Sequence, residues 1–257
     1  MKISVITVSF NSAKTIEKAI NSVMSQTYDD IEHIIVDGDS TDQTHSILEN
    51  YRQQIDKIII EKDDGIYDAM NKGIKAATGD YIFFLNSDDV FNDEKVLEAF
   101  AEKMTKTNKE LYYGDLKFYE KGKYFIKKQH VINKILLLKN TPCQPTTFYR
   151  RDVFEKYGYF DRNYRIVSDY EWFLRVFLKH DISYEYVNCV VSIFNTGGVS
   201  TNPQHNELQD KERMDVLTKY FSPFELQSYG FLSKYFRSLI KNPFSSYFLN
   251  IIFKYEL

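Results

Sequence analysis

Cysteine is scarce in this 257-residue sequence: there are two, Cys143 and Cys189, and they lack any metal-ligand spacing. Two such thiols fit a reduced protein of the cytosol. Charge of one sign is missing too. The 33 Lys and Arg nearly cancel the 36 Asp and Glu, for a net charge of −3, so nothing overall points to nucleic acid. No apolar run approaches the roughly 18–20 residues that cross a bilayer. The opening MKISVITVSF turns polar too early for a signal peptide, which predicts a cytoplasmic protein. Three nucleotide-binding signatures are also absent. No G-x-G-x-x-G follows the first predicted strand, no G-x-x-x-x-G-K-[ST] occurs, and no Gly-rich loop follows Val8. A dinucleotide fold of the usual kind, an NTPase phosphate loop and a pyrophosphorylase-type start are therefore disfavoured. Phosphate charge bound here is expected to be neutralised by a cation.

What is present is a globular balance, 43% hydrophobic and 27% charged, with 20 Tyr and 20 Phe. The length suits one large α/β domain or one domain with an appendage. Strand and helix signals then alternate four times. Residues 2–8 are rich in Ile and Val, and Asn11 or Ser12 can cap a helix whose Ile16, Ala19, Ile20, Val23 and Met24 share one face. Strands are predicted at 31–36 and 57–61, and helices at 44–51 and 66–77, the latter with Ile66, Met70, Ile74 and Ala77 inward. Residues 81–85 are apolar at consecutive positions, as in a strand buried on both faces. This order predicts an α/β protein with a mainly parallel sheet flanked by helices.

Each predicted strand stops at short polar or acidic groups: Phe10-Asn11, Asp37-Gly38-Asp39, Asp63-Asp64 and Asn86-Ser87-Asp88-Asp89. Right-handed crossovers put these ends on one edge, where ligands bind in open α/β sheets. Any one of them is also an ordinary turn. Together they predict a rim holding Phe10, Asp37, Asp39, Asp64 and Asp88, whose mutual repulsion a cation or a ligand's hydroxyl and amine donors would relieve.

The segments SVITVSFN, IIVDGDSTDQT, DDGIYDAMNKGIKAATGDYIFFLNSDD and VSDYEWFLR, in that order, resemble the family 2 glycosyltransferases of the GT-A fold. The resemblance implies a transferase that moves a sugar from a nucleoside diphosphate donor, usually UDP-linked, with inversion, as in assembly of a bacterial surface polysaccharide. It places Val8 and Phe10 against the base, Asp37 and Asp39 at uracil and ribose, and Asp64, Asp68 and Asn71 in the loop and helix that close over the nucleotide. NSDD stands at the family's D-x-D position, with Asn86 in place of the first carboxylate. Asn86 and Ser87 then contact the nucleotide sugar. Asp88 is the ligand of Mn2+ or Mg2+, with Asp89 as an alternative or supporting group. In VSDYEW, Asp169 matches the family's general base, which takes the acceptor hydroxyl's proton, and Ser168 replaces the usual Glu. The alternative on the residues alone is that Asp169 is a helix cap. Gln144 matches the border of the acceptor pocket, and Cys143 stands where a His is common.

Further along, residues 96–104 read as an amphipathic helix, and 111–119 and 124–128 as a hairpin through Glu120-Lys121-Gly122-Lys123. Lys117, Lys121, Lys123, Lys127, Lys128, Lys134 and Lys139 make this region basic. It is either a solvated face or a surface for an anionic acceptor or leaflet. A strand at 184–194 leads to a Gly197-Gly198 loop expected to fold over the nucleotide. His205 beyond it either completes a metal shell or is solvated. The expected division is a catalytic domain over 1–220, with a nucleotide-sugar half (1–110) and an acceptor-side half (111–220), then an aromatic and basic tail (221–257). The tail's helical spacing leaves three roles open: packing on the domain, a homodimer contact, or peripheral contact in the membrane plane. The acceptor is expected to be a glycan or lipid-linked hydroxyl, used in the cytoplasm at the inner face of the cell membrane. Two rivals remain at this point, a non-catalytic sugar-nucleotide-binding or scaffold protein and a nucleotidyltransferase.

Overall fold

The computed structural model describes residues 1–120, 122–129, 132, 134–195 and 203–228. The Gly197-Gly198 loop, Lys121 of the hairpin and residues 229–257 of the tail lie outside the described residues. The chain begins with β1 (Ile3–Ser9), α1 (Ile16–Met24), β2 (Ile31–Asp37), α2 (Thr44–Asn50), β3 (Lys57–Ile60), α3 (Ile66–Ala76) and β4 (Tyr81–Phe84). These strands pair in parallel, in the order β3-β2-β1-β4. Next come β5 (Val90–Phe91), α4 (Val96–Thr107), β6 (Leu111–Glu120), β7 (Lys123–Lys127), α5 (Lys134–Leu137) and β8 (Thr147–Arg150). α6 (Val153–Tyr157), α7 (Ser168–Lys179), β9 (Tyr184–Phe194) and α8 (Asn206–Tyr220) complete the described elements. The sheet continues past β4 through β8, β6, β9 and β5, with β7 paired to β6 as a hairpin arm. β8 runs antiparallel to β4, so the halves of the chain share one sheet.

Side chains of a strand alternate between faces, and that alternation divides the core. Ile6, Val8, Ile82, Phe84 and Tyr149 pack on one face with Met70 and Ile74 of α3 and Trp172, Phe173 and Val176 of α7. Ile3, Val5, Phe83 and Phe148 pack on the other with Ala19 and Val23 of α1 and Phe100 and Met104 of α4. Aromatic contacts hold the second face, with Phe148 4.5 Å from Phe83 and 4.3 Å from Phe100 between ring centroids. Coverage on both faces buries every residue of β1 and β4, and β4 accordingly reads as a continuous apolar run.

Some local expectations are corrected. Thr15, not Asn11 or Ser12, stands at the start of α1, and no side chain caps it. Asn11 adopts a positive φ of 51° and spends its Oδ1 on the Thr41 N–H. Ser168 and Asp169 are the first two residues of α7 and Val167 holds the cap position, so Asp169 is not the helix cap; the buried Ser168 hydroxyl has no partner among the described residues. Arg175 pairs with Glu171 at 3.2 Å and donates to the carbonyls of Tyr157 and Tyr159, a structural role. Among the described residues, no helix is long and apolar enough to cross a membrane.

Candidate active site

Because β1 to β4 are parallel, their C-terminal ends form one rim. Phe10 follows β1 and is 62% exposed, an aromatic ring left bare at the sheet edge. Val8, two residues earlier and expected against the base, is buried in the core beneath the rim. Expected at uracil and ribose, Asp37 is instead completely buried. Its Oδ2 accepts from Ser9 Oγ at 2.6 Å and Ser40 Oγ at 2.8 Å. Its Oδ1 meets the Ser40 N–H and His45 Nε2, both at 2.8 Å. A carboxylate has about four acceptor positions, so the protein itself occupies them all. Asp37 builds the loop after β2; Asp39, exposed at a φ of 65°, is the carboxylate that loop presents.

Between them Gly38 leaves a gap that Asp63 fills. A Cβ on Gly38 would stand 2.4 Å from Asp63 Oδ2 and 3.4 Å from the Phe10 ring. Asp63 Oδ1 accepts the Gly65 N–H at 2.9 Å. Burial, with the charges of Asp68 and Asp37, holds this carboxyl above the ordinary range against the pull of the Gly65 N–H and Lys72. Asp63, not Asp64, therefore lies beside Phe10. Asp64 is turned outward, 82% exposed, with Arg162 at 3.7 Å. Asp68 is tied to Arg162 at 2.8 Å and to Lys72 at 3.5 Å. Burial pushes its carboxyl up, but Arg162, the Asp64 N–H and Lys72 together bring it below the ordinary value. Asn71 is buried and stitched to the backbone of Phe160 through both ends of its amide, at 2.9 and 3.1 Å. Of the three residues expected to close over a nucleotide, Asp64 is thus open to solvent, while Asp68 and Asn71 are engaged by protein partners.

The turn after β4 sorts its four polar residues by what they touch. Ser87 is buried, its Oγ 2.7 Å from Ser12 Oγ. Asp89 is fully buried and accepts the Asn195 N–H at 3.0 Å and Asn86 Nδ2 at 3.1 Å, tying this turn to the end of β9. Burial, then the Asp88 charge, pushes Asp89 up to about 8. Asn86 Oδ1 is buried without a partner among the described residues. Asp88 stays half-buried, and burial raises its carboxyl. Among the described residues, no group of three His, Cys, Asp or Glu is arranged to hold a metal ion.

Register carries the rim across to β8. Phe83 faces Phe148 in the antiparallel pair, so the 3-10 turn at Gln144–Thr146 lies alongside the end of β4. Gln144 is buried there, its Nε2 without a partner among the described residues. The Cys143 thiol receives Lys127 Nζ at 3.3 Å from the hairpin arm and is held above its usual range by burial, with the Asp169 charge adding to it. Asp169 itself is half-buried in the first turn of α7, where the helix dipole favours a negative charge. Tyr67 of α3 reaches it, with the hydroxyl 2.8 Å from Oδ1. Burial raises the Asp169 carboxyl, while Tyr67, the N–H of Tyr170 and Arg213 oppose that rise.

Three contributors escape a sequence reading. Asp63 sits one residue before the acidic position first expected. Tyr67 lies four residues before Asn71, so the two share a helix stripe, a spacing that would have paired them. Glu212 of α8 is buried and accepts the N–H groups of Arg165, Ile166 and Val167 at 2.8, 2.9 and 3.3 Å, fixing the approach to α7. Nothing local signals it, since α8 is mostly polar and buries only Val216 and Leu217 besides Glu212.

An α/β sheet whose parallel half carries this rim, extended by an antiparallel half bearing a half-buried Asp, has the architecture of a GT-A glycosyltransferase. The model of Glycosyl transferase family 2 matches residues 4–178, and the chain belongs to that family. It is therefore a transferase that moves a sugar. A PGL/p-HBAD biosynthesis glycosyltransferase of Mycobacterium tuberculosis is 31% identical over 219 residues, covering 81% of each chain. An uncharacterized glycosyltransferase of Nostoc sp. is 35% identical over 170 residues, 61% of this chain and 53% of that one. Among solved structures, S. aureus TarS 1-349 in complex with UDP-GlcNAc superposes with a TM-score of 0.65 at 22% identity, over 76% of this chain. That likeness is one of fold. The chain spans 58% of the truncated TarS and 37% of the longer TarS chain.

Proposed function

We propose that the protein transfers a sugar from a nucleoside diphosphate sugar, UDP-linked, to a hydroxyl of a glycan or lipid-linked acceptor, with inversion of the anomeric carbon. The observation that carries this reading is Asp169, half-buried at the start of α7 with one oxygen held by Tyr67. Asp169 takes the proton of the acceptor hydroxyl as that oxygen bonds to the anomeric carbon. The bond from the same carbon to the diphosphate breaks on the opposite face, and its electron pair leaves with the diphosphate. A solved relative by fold, TarS, is described in complex with UDP-GlcNAc and with UDP, which supports the choice of a uridine donor.

On the donor side, the bare Phe10 ring stacks on the base, and Asp63 Oδ2 accepts the N–H at position 3 of uracil. Asp39 and the unpartnered Asn86 Oδ1 accept from ribose hydroxyls. Asp88 suits a Mn2+ or Mg2+ ion: its charge is penalised by burial, and Mg2+ is commonly held by one or two carboxylates with substrate phosphates making up its shell. Such an ion, when bound, offsets the charge that builds on the leaving diphosphate. On the acceptor side, β7 is exposed along its whole length, with Tyr124, Phe125 and Ile126 between Lys123 and Lys127. Lys127 touches Cys143, whose thiol senses the Asp169 charge. A cationic edge beside the base suits an acceptor that carries phosphate, as a lipid-linked one does, and contact with an anionic leaflet.

Turnover tests this. UDP-, GDP- and TDP-sugars are offered with and without EDTA, and release of the free nucleotide is measured. Hydrolysis or transfer confined to UDP-sugars and lost with EDTA is the expected result; no turnover of any nucleotide sugar contradicts it. Gly38→Ala tests the base pocket separately. The added methyl pushes the Asp63 side chain off its place, which a flexible carboxylate tolerates without unfolding. UDP affinity measured by calorimetry should fall about tenfold, the worth of one hydrogen bond to a charged acceptor. Unchanged affinity removes Asp63 from base recognition.

A further inference from the structure

The Tyr67 hydroxyl faces two acceptors and has one hydrogen to give. It lies 2.8 Å from the Ile166 carbonyl oxygen and 2.8 Å from Asp169 Oδ1. A phenol supplies a single O–H, so both contacts cannot be full hydrogen bonds from Tyr67 while Asp169 is ionised. Tyr67 is buried, 7% exposed, and a buried hydroxyl without an acceptor is costly. Neither acceptor is free to drift. The Ile166 carbonyl belongs to the segment that Glu212 grips through three backbone N–H groups, and Asp169 is held in the first turn of α7.

We propose that Tyr67 is a positioning residue for proton uptake: its hydrogen points to Asp169 Oδ1 while that carboxylate is charged, and turns to the Ile166 carbonyl once Asp169 has taken the acceptor's proton. This rests on Asp169 being the base. A charged carboxylate is the stronger acceptor, and hydrogen bonds to ionised groups are about twice as strong as neutral ones. After Asp169 is neutralised, the amide carbonyl of Ile166 wins the hydrogen. The phenol never loses its proton; only the O–H direction changes. The arriving proton comes from the acceptor hydroxyl and lands on the Asp169 oxygen not held by Tyr67. Both states leave Tyr67 with a partner, so the base changes charge in a buried setting without stranding a polar group.

The other titratable and charged groups around the pair come from three further elements. Cys143, ahead of β8, and Tyr149, on β8, feel the Asp169 charge, and burial keeps both protonated well past neutral pH. The Arg213 charge of α8 acts on Asp169, and the Glu212 charge of α8 acts on Tyr67. Tyr67→Phe leaves all of these in place and keeps the ring that packs 5.6 Å from Phe160.

Substrate-free carboxyl titration tests the coupling. With 13C-labelled aspartate, the carboxyl resonance missing from Asp169→Asn belongs to Asp169, and its midpoint is followed against pH. In Tyr67→Phe the midpoint should rise by about one pH unit, the equivalent of losing a hydrogen bond to the charged form. Site-specific 3-fluorotyrosine at position 67, a stronger donor of the same shape, should lower it. UDP affinity equal to the parent's confirms that Tyr67→Phe is folded, and if it is not, the fluorotyrosine protein decides alone. A midpoint that stays put in the folded variants, or moves the same way in both, overturns the proposal. Failure of the base assignment is read elsewhere: sugar transfer by Asp169→Asn at the parent rate.

Discussion

Asp169→Asn is expected to lower sugar transfer by about two to four orders of magnitude, the usual worth of a general base, while UDP affinity stays at the parent value. The substitution keeps size and leaves an amide oxygen for the Tyr67 hydroxyl 2.8 Å away, so what is lost is basicity. The pH dependence of the parent follows from the same geometry. Burial raises the Asp169 carboxyl above its ordinary value. The base works only when ionised, so transfer fails as the pH drops through that raised value, earlier than for an exposed Asp. Stability moves the other way. A carboxyl with a raised folded pKa ionises more readily in the unfolded chain, which costs the native state stability as pH climbs past the unfolded value of about 3.9. The cost is complete above the folded pKa. Asp169→Asn should therefore melt higher than the parent at neutral pH and lose that advantage below about pH 3.9. A variant that is inactive and also more stable has the signature of a site where function was kept at the expense of stability. One that is inactive and less stable points to a structural Asp169.

The second large effect is expected from Glu212→Ala. Glu212 accepts three successive backbone N–H groups, those of Arg165, Ile166 and Val167, from a buried position on α8. Ile166 and Val167 are themselves buried, so water does not readily replace the carboxylate. Leaving buried donors unpaired costs about 1–3 kcal/mol each. Unfolding by denaturant should show a loss of about 2–4 kcal/mol overall. Activity should fall with it under conditions where the variant is still folded, because the segment it releases carries the Ile166 carbonyl and leads into Asp169. Glu212→Gln, which keeps one acceptor oxygen, should lie between the two. Equal stability for all three proteins contradicts the role given to α8.

Much of the fold is legible because its first half obeys simple periods. Ile6, Val8, Ile82 and Phe84 fall on one face and Ile3, Val5 and Phe83 on the other, and helix signals separate the strands, so a parallel sheet follows from the residues alone. The acidic strand ends are legible as a group. Which carboxylate turns to the rim is not, because direction at a strand end is decided by the backbone. Asp37 points inward to Ser9, Ser40 and His45, and Asp63 takes the space that Gly38 lacks a side chain to fill. Asp64, its neighbour, faces Arg162. β5 escapes because two residues carry no period, and it exists only as a partner of β9. α8 escapes because its inward contacts are partly polar: Glu212 on backbone amides, and Asp215 accepting the Tyr164 hydroxyl at 2.6 Å. Hydrophobic spacing does not register a helix anchored in that way.

A crystal structure of the protein grown with UDP and Mn2+ tests the central claim most directly. The uracil is predicted to lie on Phe10 with its position-3 N–H directed at Asp63, the ribose beside Asn86, and the ion between Asp88 and the diphosphate, with Asp169 opening onto the same cleft. UDP bound away from Phe10 and Asp88, or an Asp169 screened from the diphosphate by intervening chain, would contradict it.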